Sequence, residues 1–128
     1  MLVAFYDSAD SHHDRVVEFF AGCTSRLVTS EGCVTEVMWL LAFDWQVQNE
    51  FLSHLANRIY ECESLTSQDF ARIAELNAQY ADLPGDFSDL SLVVISERLN
   101  VAAIATLDKD FNIYRRYRNQ PFKRVFYP

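Results

Sequence analysis

Glycine and proline are scarce, three of each in 128 residues. Loops that cradle nucleotide phosphates need glycines at fixed spacing, and neither a G-x-G-x-x-G nor a G-x-x-x-x-G-K-[ST] run occurs, which disfavours nucleotide binding of that kind. Cysteine is equally sparse. Cys23, Cys33 and Cys62 are odd in number and too far apart for C-x-x-C metal spacing, a pattern that predicts reduced thiols in the core of a cytoplasmic protein. No apolar run approaches the ~20 residues that cross a bilayer, and no leader with a charged start and apolar centre opens the chain. The expectation is a soluble intracellular protein with no membrane partner. No serine or cysteine stands in a nucleophile motif, which disfavours covalent catalysis. Repeats, linkers and low-complexity segments are also missing, so residues 1–128 predict one domain.

Half of the residues are apolar, enough for a chain of this length to bury a real core. The net charge of −7 hides an asymmetry. Residues 109–128 carry Lys109, Arg115, Arg116, Arg118, Lys123 and Arg124 against Asp110 alone, while the preceding residues are acidic. Most of the surface would repel a polyanion. The basic tail could hold one, with Tyr114, Tyr117 and Phe122 as stacking faces, or it is a solvated tail with a few anchoring aromatics.

Residues 1–6 are apolar and run into Asp7-Ser8-Ala9-Asp10-Ser11, a loop and cap before a helix over 12–20 whose stripe is Val16, Val17, Phe19 and Phe20. Gly22 stops that helix. A strand is predicted over 26–29, with Ser30 capping the next helix, which carries Glu36 within the apolar stretch 32–43. A glutamate so placed is expected to be buried and to need a partner. Residues 45–57 predict an amphipathic helix closing a helical hairpin, and 59–63 an edge strand. Thr66-Ser67-Gln68-Asp69 resembles a capping box for a helix to about residue 80, with Phe70, Ile73, Ala74 and Leu76 inward. Leu83-Pro84-Gly85-Asp86 reads as a turn into an almost wholly apolar helix over 90–99, ended by Asn100. Residues 101–106 suit a strand of a covered parallel sheet, ending in Thr106-Leu107-Asp108-Lys109-Asp110-Phe111, and 125–127 a last short strand.

Glu36, Asp89, Asp108 and Asp110 each follow a strand or open a helix that follows one, and such positions converge at one rim of a parallel sheet. Together they could hold Mg²⁺ or Mn²⁺, hard ions that accept a few carboxylates, several waters and substrate phosphate. Crowded carboxylates would otherwise repel and take up protons. The plainer roles stand beside this one. Asp89 near a helix N-terminus can serve the dipole, Asp108 and Asp110 can be turn formers, and Asp86 reads as a cap. His12 and His13 are adjacent, so they point about 100° apart and suit structure better than shared ligation of one ion.

These stretches resemble a PIN domain, in particular the VapC-like ribonuclease toxins: Asp7-Ser8-Ala9-Asp10-Ser11-His12-His13, Leu27-Val28-Thr29 leading to Thr35-Glu36-Val37, Leu83-Pro84-Gly85-Asp86-Phe87-Ser88-Asp89-Leu90 and Ala105-Thr106-Leu107-Asp108-Lys109-Asp110-Phe111. The resemblance spans nearly the whole chain. It implies a three-layer α/β/α sandwich with a central parallel sheet, a Mg²⁺ or Mn²⁺ site, cleavage of RNA, a homodimer, and inhibition by a small antitoxin protein. By the same resemblance Glu36, Asp89 and Asp108 match the acidic ligands, Asp110 an auxiliary one, and Thr106 a hydroxyl that orients the site.

The family opens with a central strand ending in Asp-Thr or Asp-Ser, whereas this chain opens on what aligns with the end of the following helix. Two expectations result. Either residues 2–6 are that helix end, which leaves out the central strand and one acid, or they are themselves the strand, with Asp7-Ser8 as the acidic pair. Function divides in parallel: a metal-dependent endoribonuclease, or a PIN-like module that binds RNA or protein without cleaving. Unpaired backbone at the centre of a sheet is costly, which predicts that any gap is filled by residues 1–6 or by a second subunit.

Overall fold

The computed structural model describes residues 1–83 and 85–128, so the turn predicted at Leu83-Pro84-Gly85 lies outside them at Pro84. Short helix α1 (Leu2–Tyr6) leads to α2 (His13–Ala21), strand β1 (Leu27–Ser30), α3 (Glu31–Leu40), α4 (Trp45–Ala56) and β2 (Tyr60–Glu63). Then come α5 (Ser67–Gln79), α6 (Phe87–Leu99) and β3 (Ala103–Ile104). The last part is a 3-10 turn over Lys109–Asn112 and three two-residue strands, β4 (Arg115–Arg116), β5 (Gln120–Pro121) and β6 (Lys123–Arg124).

Helix α6 is the centre of packing, as its composition predicts. Leu90, Val93, Val94 and Ile95 are buried, together with Ser91 and Ser96. At about 1.5–3 kcal/mol per fully buried aliphatic side chain, those four contribute as much as the entire net stability of many domains, ~5–15 kcal/mol. Asn100 ends the helix in the left-handed region at φ 55°, which asparagine tolerates better than most residues. α5 packs alongside through Ile73 and Leu76, joined by Phe111 and Tyr114 from the chain's last quarter. Its start is the predicted capping box: the Thr66 hydroxyl accepts the Asp69 amide at 3.2 Å while the Asp69 carboxylate accepts the Thr66 amide at 2.9 Å. A second cluster joins Tyr6, Val37, Leu41, Phe51 and Tyr60. His13 ties α2 back to α1 through a 2.8 Å hydrogen bond between its Nδ1 and the Ala4 carbonyl, the structural role expected of it.

The strands do not form one sheet. β1 runs parallel to β2, Leu27 opposite Tyr60 and Ser30 opposite Glu63. β3 runs parallel to β6, Ala103 opposite Lys123, and β4 pairs antiparallel with β5. Among the described residues neither β1 nor β3 has a partner on its other edge. Both line a single cleft of about 1280 Å³, β1 through Leu27, Val28 and Thr29 and the β3 segment through Ala103, Ile104 and Ala105. The α/β class is as expected, but the continuous central sheet is absent from the described residues. Residues 2–6 are helical, which overturns the strand reading. Asp7 sits at the end of α1, where its side chain accepts the Ala9 amide at 3.0 Å.

Other expectations are corrected by packing. The strand predicted over 101–106 shrinks to Ala103–Ile104, the two residues that pair with Lys123 and Arg124 of the equally short β6. The last strand falls at Lys123–Arg124 rather than 125–127. Phe70 is 53% exposed and stacks at 6.2 Å on Phe87, and Ala74 also faces outward. The cysteines are free thiols but not core residues: Cys62 is exposed, Cys23 and Cys33 half-buried. Glu36 is exposed, because the buried face of α3 runs through Val37 and a neighbouring position points about 100° away. No helix among the described residues is long and apolar enough to cross a membrane.

Candidate metal centre

Two segments bring carboxylates to the lining of the cleft, Asp86 and Asp89 from one and Asp108 from the other. The first is the start of α6. Asp86 caps it, accepting the Asp89 amide at 2.8 Å, as its reading as a cap predicts, and this sets Asp89 in the first turn. That turn is tied to the β1–α3 junction. The Ser88 hydroxyl donates to the Gly32 carbonyl at 3.1 Å, the Ser91 hydroxyl donates to the Ser88 carbonyl at 2.6 Å, and the Ser30 and Ser91 hydroxyls meet at 2.7 Å in a fully buried pair. Ser30 also caps α3 by accepting the Cys33 amide at 3.1 Å.

The second segment follows β3. The buried Thr106 hydroxyl accepts the Asp108 amide at 3.0 Å, and the Asp108 carboxylate accepts the Asp110 amide at 2.8 Å. Asp108 therefore has the turn-forming role that its position allows. One of its oxygens shapes the turn, and the carboxylate is thereby fixed at the rim.

Asp89, Asp108 and Asp110 each offer a carboxylate oxygen, all three within 4.8 Å of one another. The Asp89 carboxyl is pushed up to about 7, by burial first, then by the charges of Asp86 and Asp108, a hydrogen bond with Asp108, and the charge of Glu36. Behind them the Tyr114 phenol is raised as well, by burial and then by the surrounding aspartates. Its hydroxyl is buried with no hydrogen-bond partner among the described residues. A Cβ at Gly85 would lie 2.6 Å from that hydroxyl, so only glycine leaves room there. Glu36 lies outside the three-carboxylate group but lines the same cleft as Asp89 and Asp108.

This donor set fits a hard divalent cation. Mg²⁺ takes oxygens at about 2.0–2.1 Å and keeps several waters, which places opposite ligands about 4.2 Å apart. Oxygens spread over 4.8 Å need only a small inward movement or a bridging water. A cation would also offset the burial and the neighbouring negative charges that push the Asp89 carboxyl up.

No family model matches the chain. Among curated proteins, Ribonuclease VapC26 of Mycobacterium tuberculosis (strain ATCC 25618 / H37Rv) is 28% identical over 110 residues, covering 84% of this chain and 82% of that protein. The resemblance to VapC-like PIN ribonucleases holds.

The residues that hold this acidic rim in place were not apparent from sequence. Ser30 was read as a cap, but its pairing with Ser91 joins segments 61 positions apart. Tyr114, expected to offer a stacking face, is fully buried. Much of the basic tail is engaged internally: Arg116 donates to the Ser96 carbonyl at 3.0 Å, Arg115 to the carbonyls of Asn112, Ile113 and Tyr114, and Arg124 to the Thr106 carbonyl at 3.1 Å. Lys109, Arg118 and Lys123 are the tail's exposed cations.

Proposed function

We propose that this chain is a Mg²⁺- or Mn²⁺-dependent endoribonuclease, the toxin of a toxin–antitoxin pair. The observation that carries the reading is the meeting of Asp89, Asp108 and Asp110 within 4.8 Å, the first two lining the cleft. The name of the ribonuclease relative supports it. Asp89, Asp108 and Asp110 would hold the ion, with Glu36 joining directly or through water. A cation held there would supply Lewis-acid chemistry, polarising a phosphate and lowering the pKa of a bound water. The chain's own part is placement. Thr106 and Asp86 fix the two acidic segments, Asp89 releases its proton as positive charge arrives, and exposed Lys109, Arg118 and Lys123 attract the RNA backbone to an otherwise acidic protein.

The same reading takes the two parallel strand pairs as halves of one α/β/α sandwich sheet and places the protein in the cytoplasm. It includes a homodimer and a small antitoxin as partners. Trp39, Phe43 and Trp45 support it, standing 79%, 62% and 67% exposed around the α3–α4 turn, apolar surface of the kind that interfaces cover.

One observation favours a second reading, a PIN-like module that binds without cleaving. Among the described residues the three-carboxylate group draws on α6 and the turn after β3 alone. The test is incubation of the chain with single-stranded and structured RNA, with Mg²⁺ or Mn²⁺ and with a chelator. Cleavage that needs the metal and is lost in Asp108→Asn supports the nuclease. RNA retention without cleavage under both metals supports the module.

A further inference from the structure

Arg124 stands opposite Ile104 in the β3–β6 pair, and its guanidinium reaches past that pair to both ends of the acidic turn. Nη2 donates to the Thr106 carbonyl at 3.1 Å, just before the turn. Nη1 makes a long hydrogen bond, 3.5 Å, to Oδ1 of Asn112, the turn's last residue. The ring of Tyr127 lies 4.8 Å from the guanidinium carbon. Between these contacts the hydrogen bonds run on, the Asp108 amide donating to the Thr106 hydroxyl and the Asp110 amide to the Asp108 carboxylate. A planar, permanently charged fork can brace two acceptors at a fixed separation, which a lysine ammonium cannot.

β6 does not need this side chain to stay attached. The Lys123 amide donates to the Ala102 carbonyl at 2.8 Å and the Val125 amide to the Ile104 carbonyl at 3.0 Å. Phe126 is buried, with its ring 5.4 Å from that of Phe19. The Nε of Arg124 is buried with no hydrogen-bond partner among the described residues. A side chain held only for strand attachment gains nothing from such an arrangement, because burying an unmatched donor opposes folding.

We propose that Arg124 is a positioning residue: by holding the Thr106 carbonyl and Asn112 it sets the geometry at which Asp108 and Asp110 present their carboxylates, and it touches neither cation nor RNA itself. The inference rests on the divalent-cation reading of the acidic rim. Partners that orient a ligand without binding the ion typically change metal affinity about 10–100-fold when removed.

The experiment uses the full chain as wild type, Arg124→Met, Arg124→Lys and Asp108→Asn. Mn²⁺ affinity is measured by calorimetry, and exchange of the Asp108, Asp110 and Val125 amide hydrogens is followed by NMR without metal. Arg124→Met is expected to weaken Mn²⁺ about tenfold or more and to speed exchange at Asp108 and Asp110 while leaving Val125 as in the wild type. Arg124→Lys, able to reach one acceptor, is expected to fall between. Wild-type affinity and wild-type exchange in folded Arg124→Met overturn the proposal. If that variant does not fold, wild-type values in Arg124→Lys overturn it instead. If the wild type itself has no affinity for Mn²⁺, and Asp108→Asn is the same, the cation reading fails, while exchange at Asp108 and Asp110 still decides whether Arg124 holds the turn.

Discussion

The hydroxyls of Ser30 and Ser91 meet at 2.7 Å in the fully buried interior, joining the strand β1 to the helix that carries Asp89. Neither hydroxyl has water to turn to. Ser91→Ala is therefore expected to lower unfolding stability by about 1–3 kcal/mol, the cost of leaving a buried polar group unmatched. Ser30→Ala loses its α3 cap as well, worth ~1 kcal/mol. The double variant should be less destabilised than the sum of the two, because both single changes remove the same Ser30–Ser91 hydrogen bond. Chemical denaturation of the three variants measures this, and strict additivity would show that the hydroxyls are not coupled.

Asp89 gives the metal-free protein a definite pH dependence. Its carboxyl ionises near pH 7 in the fold against 3.8 ordinarily, so between those values the folded form holds a proton that the unfolded chain releases. The stabilisation is fully present below about pH 4 and is lost as pH rises through about 7. For this group alone the melting temperature should fall from pH 5 to pH 8. Asp89→Asn should flatten that slope. Mn²⁺ should reverse it, since the ion needs the carboxylate deprotonated and binds better as pH rises. Calorimetric scans of wild type and variant, with and without Mn²⁺, read all three effects. A wild-type slope unchanged in Asp89→Asn would assign the titration to another group.

Two ion pairs of similar appearance should differ greatly in worth. Arg72 grips Glu97 through two 3.0 Å bonds, with the Glu97 side chain 2% exposed, and so links α5 to α6. Removing one partner leaves a buried charge without compensation, so Arg72→Met is expected to cost about 3–5 kcal/mol. Arg26 pairs with Glu61 on the surface, its side chain 67% exposed. Arg26→Met should cost no more than ~1 kcal/mol, and that little should vanish at high salt. Urea midpoints of the two variants in low and high salt check the contrast.

The sequence was legible where local chemistry decides the outcome. α6 was evident because it is apolar on most faces and ends on Asn100, the start of α5 because Thr66 and Asp69 are spaced to cap each other, and the approach of Asp89 to Asp108 and Asp110 because acids that follow strands or open the helices after them converge, though Glu36, expected by the same rule, stays outside their group. It was illegible where one residue's direction depends on a distant partner. Glu36 lies among apolar neighbours in sequence yet faces outward, one position from buried Val37. Phe70 has the right spacing for the core but lies flat on Phe87 at the surface. Tyr114 has the profile of an exposed tail aromatic and fills the interior against Tyr80 and Phe111, both rings 5.2 Å away. Arg124 reads as one more tail cation, and only the pairing of β6 with β3 brings it to Thr106.

The cleft between β1 and β3 sets the last expectation. Each strand offers backbone groups on an edge with no strand partner among the described residues, and a buried backbone group left unpaired costs roughly 1–3 kcal/mol. In a dilute monomer those groups must be met by water entering the cleft, so amides within Leu27–Ser30 and Ala103–Ile104 that face it should exchange far faster than those of Val93 and Val94 in buried α6. Raising the protein concentration discriminates between the remedies. If a second copy lends a segment to the cleft, the same amides become protected as the measured mass doubles, because exchange of identical elements repairs both copies together. If self-association uses the exposed Trp39, Phe43 and Trp45 surface instead, the mass doubles while the β1 and β3 amides stay fast. Slow exchange at both edges in a monomer at high dilution would contradict the open cleft itself, since only paired or dry backbone is protected.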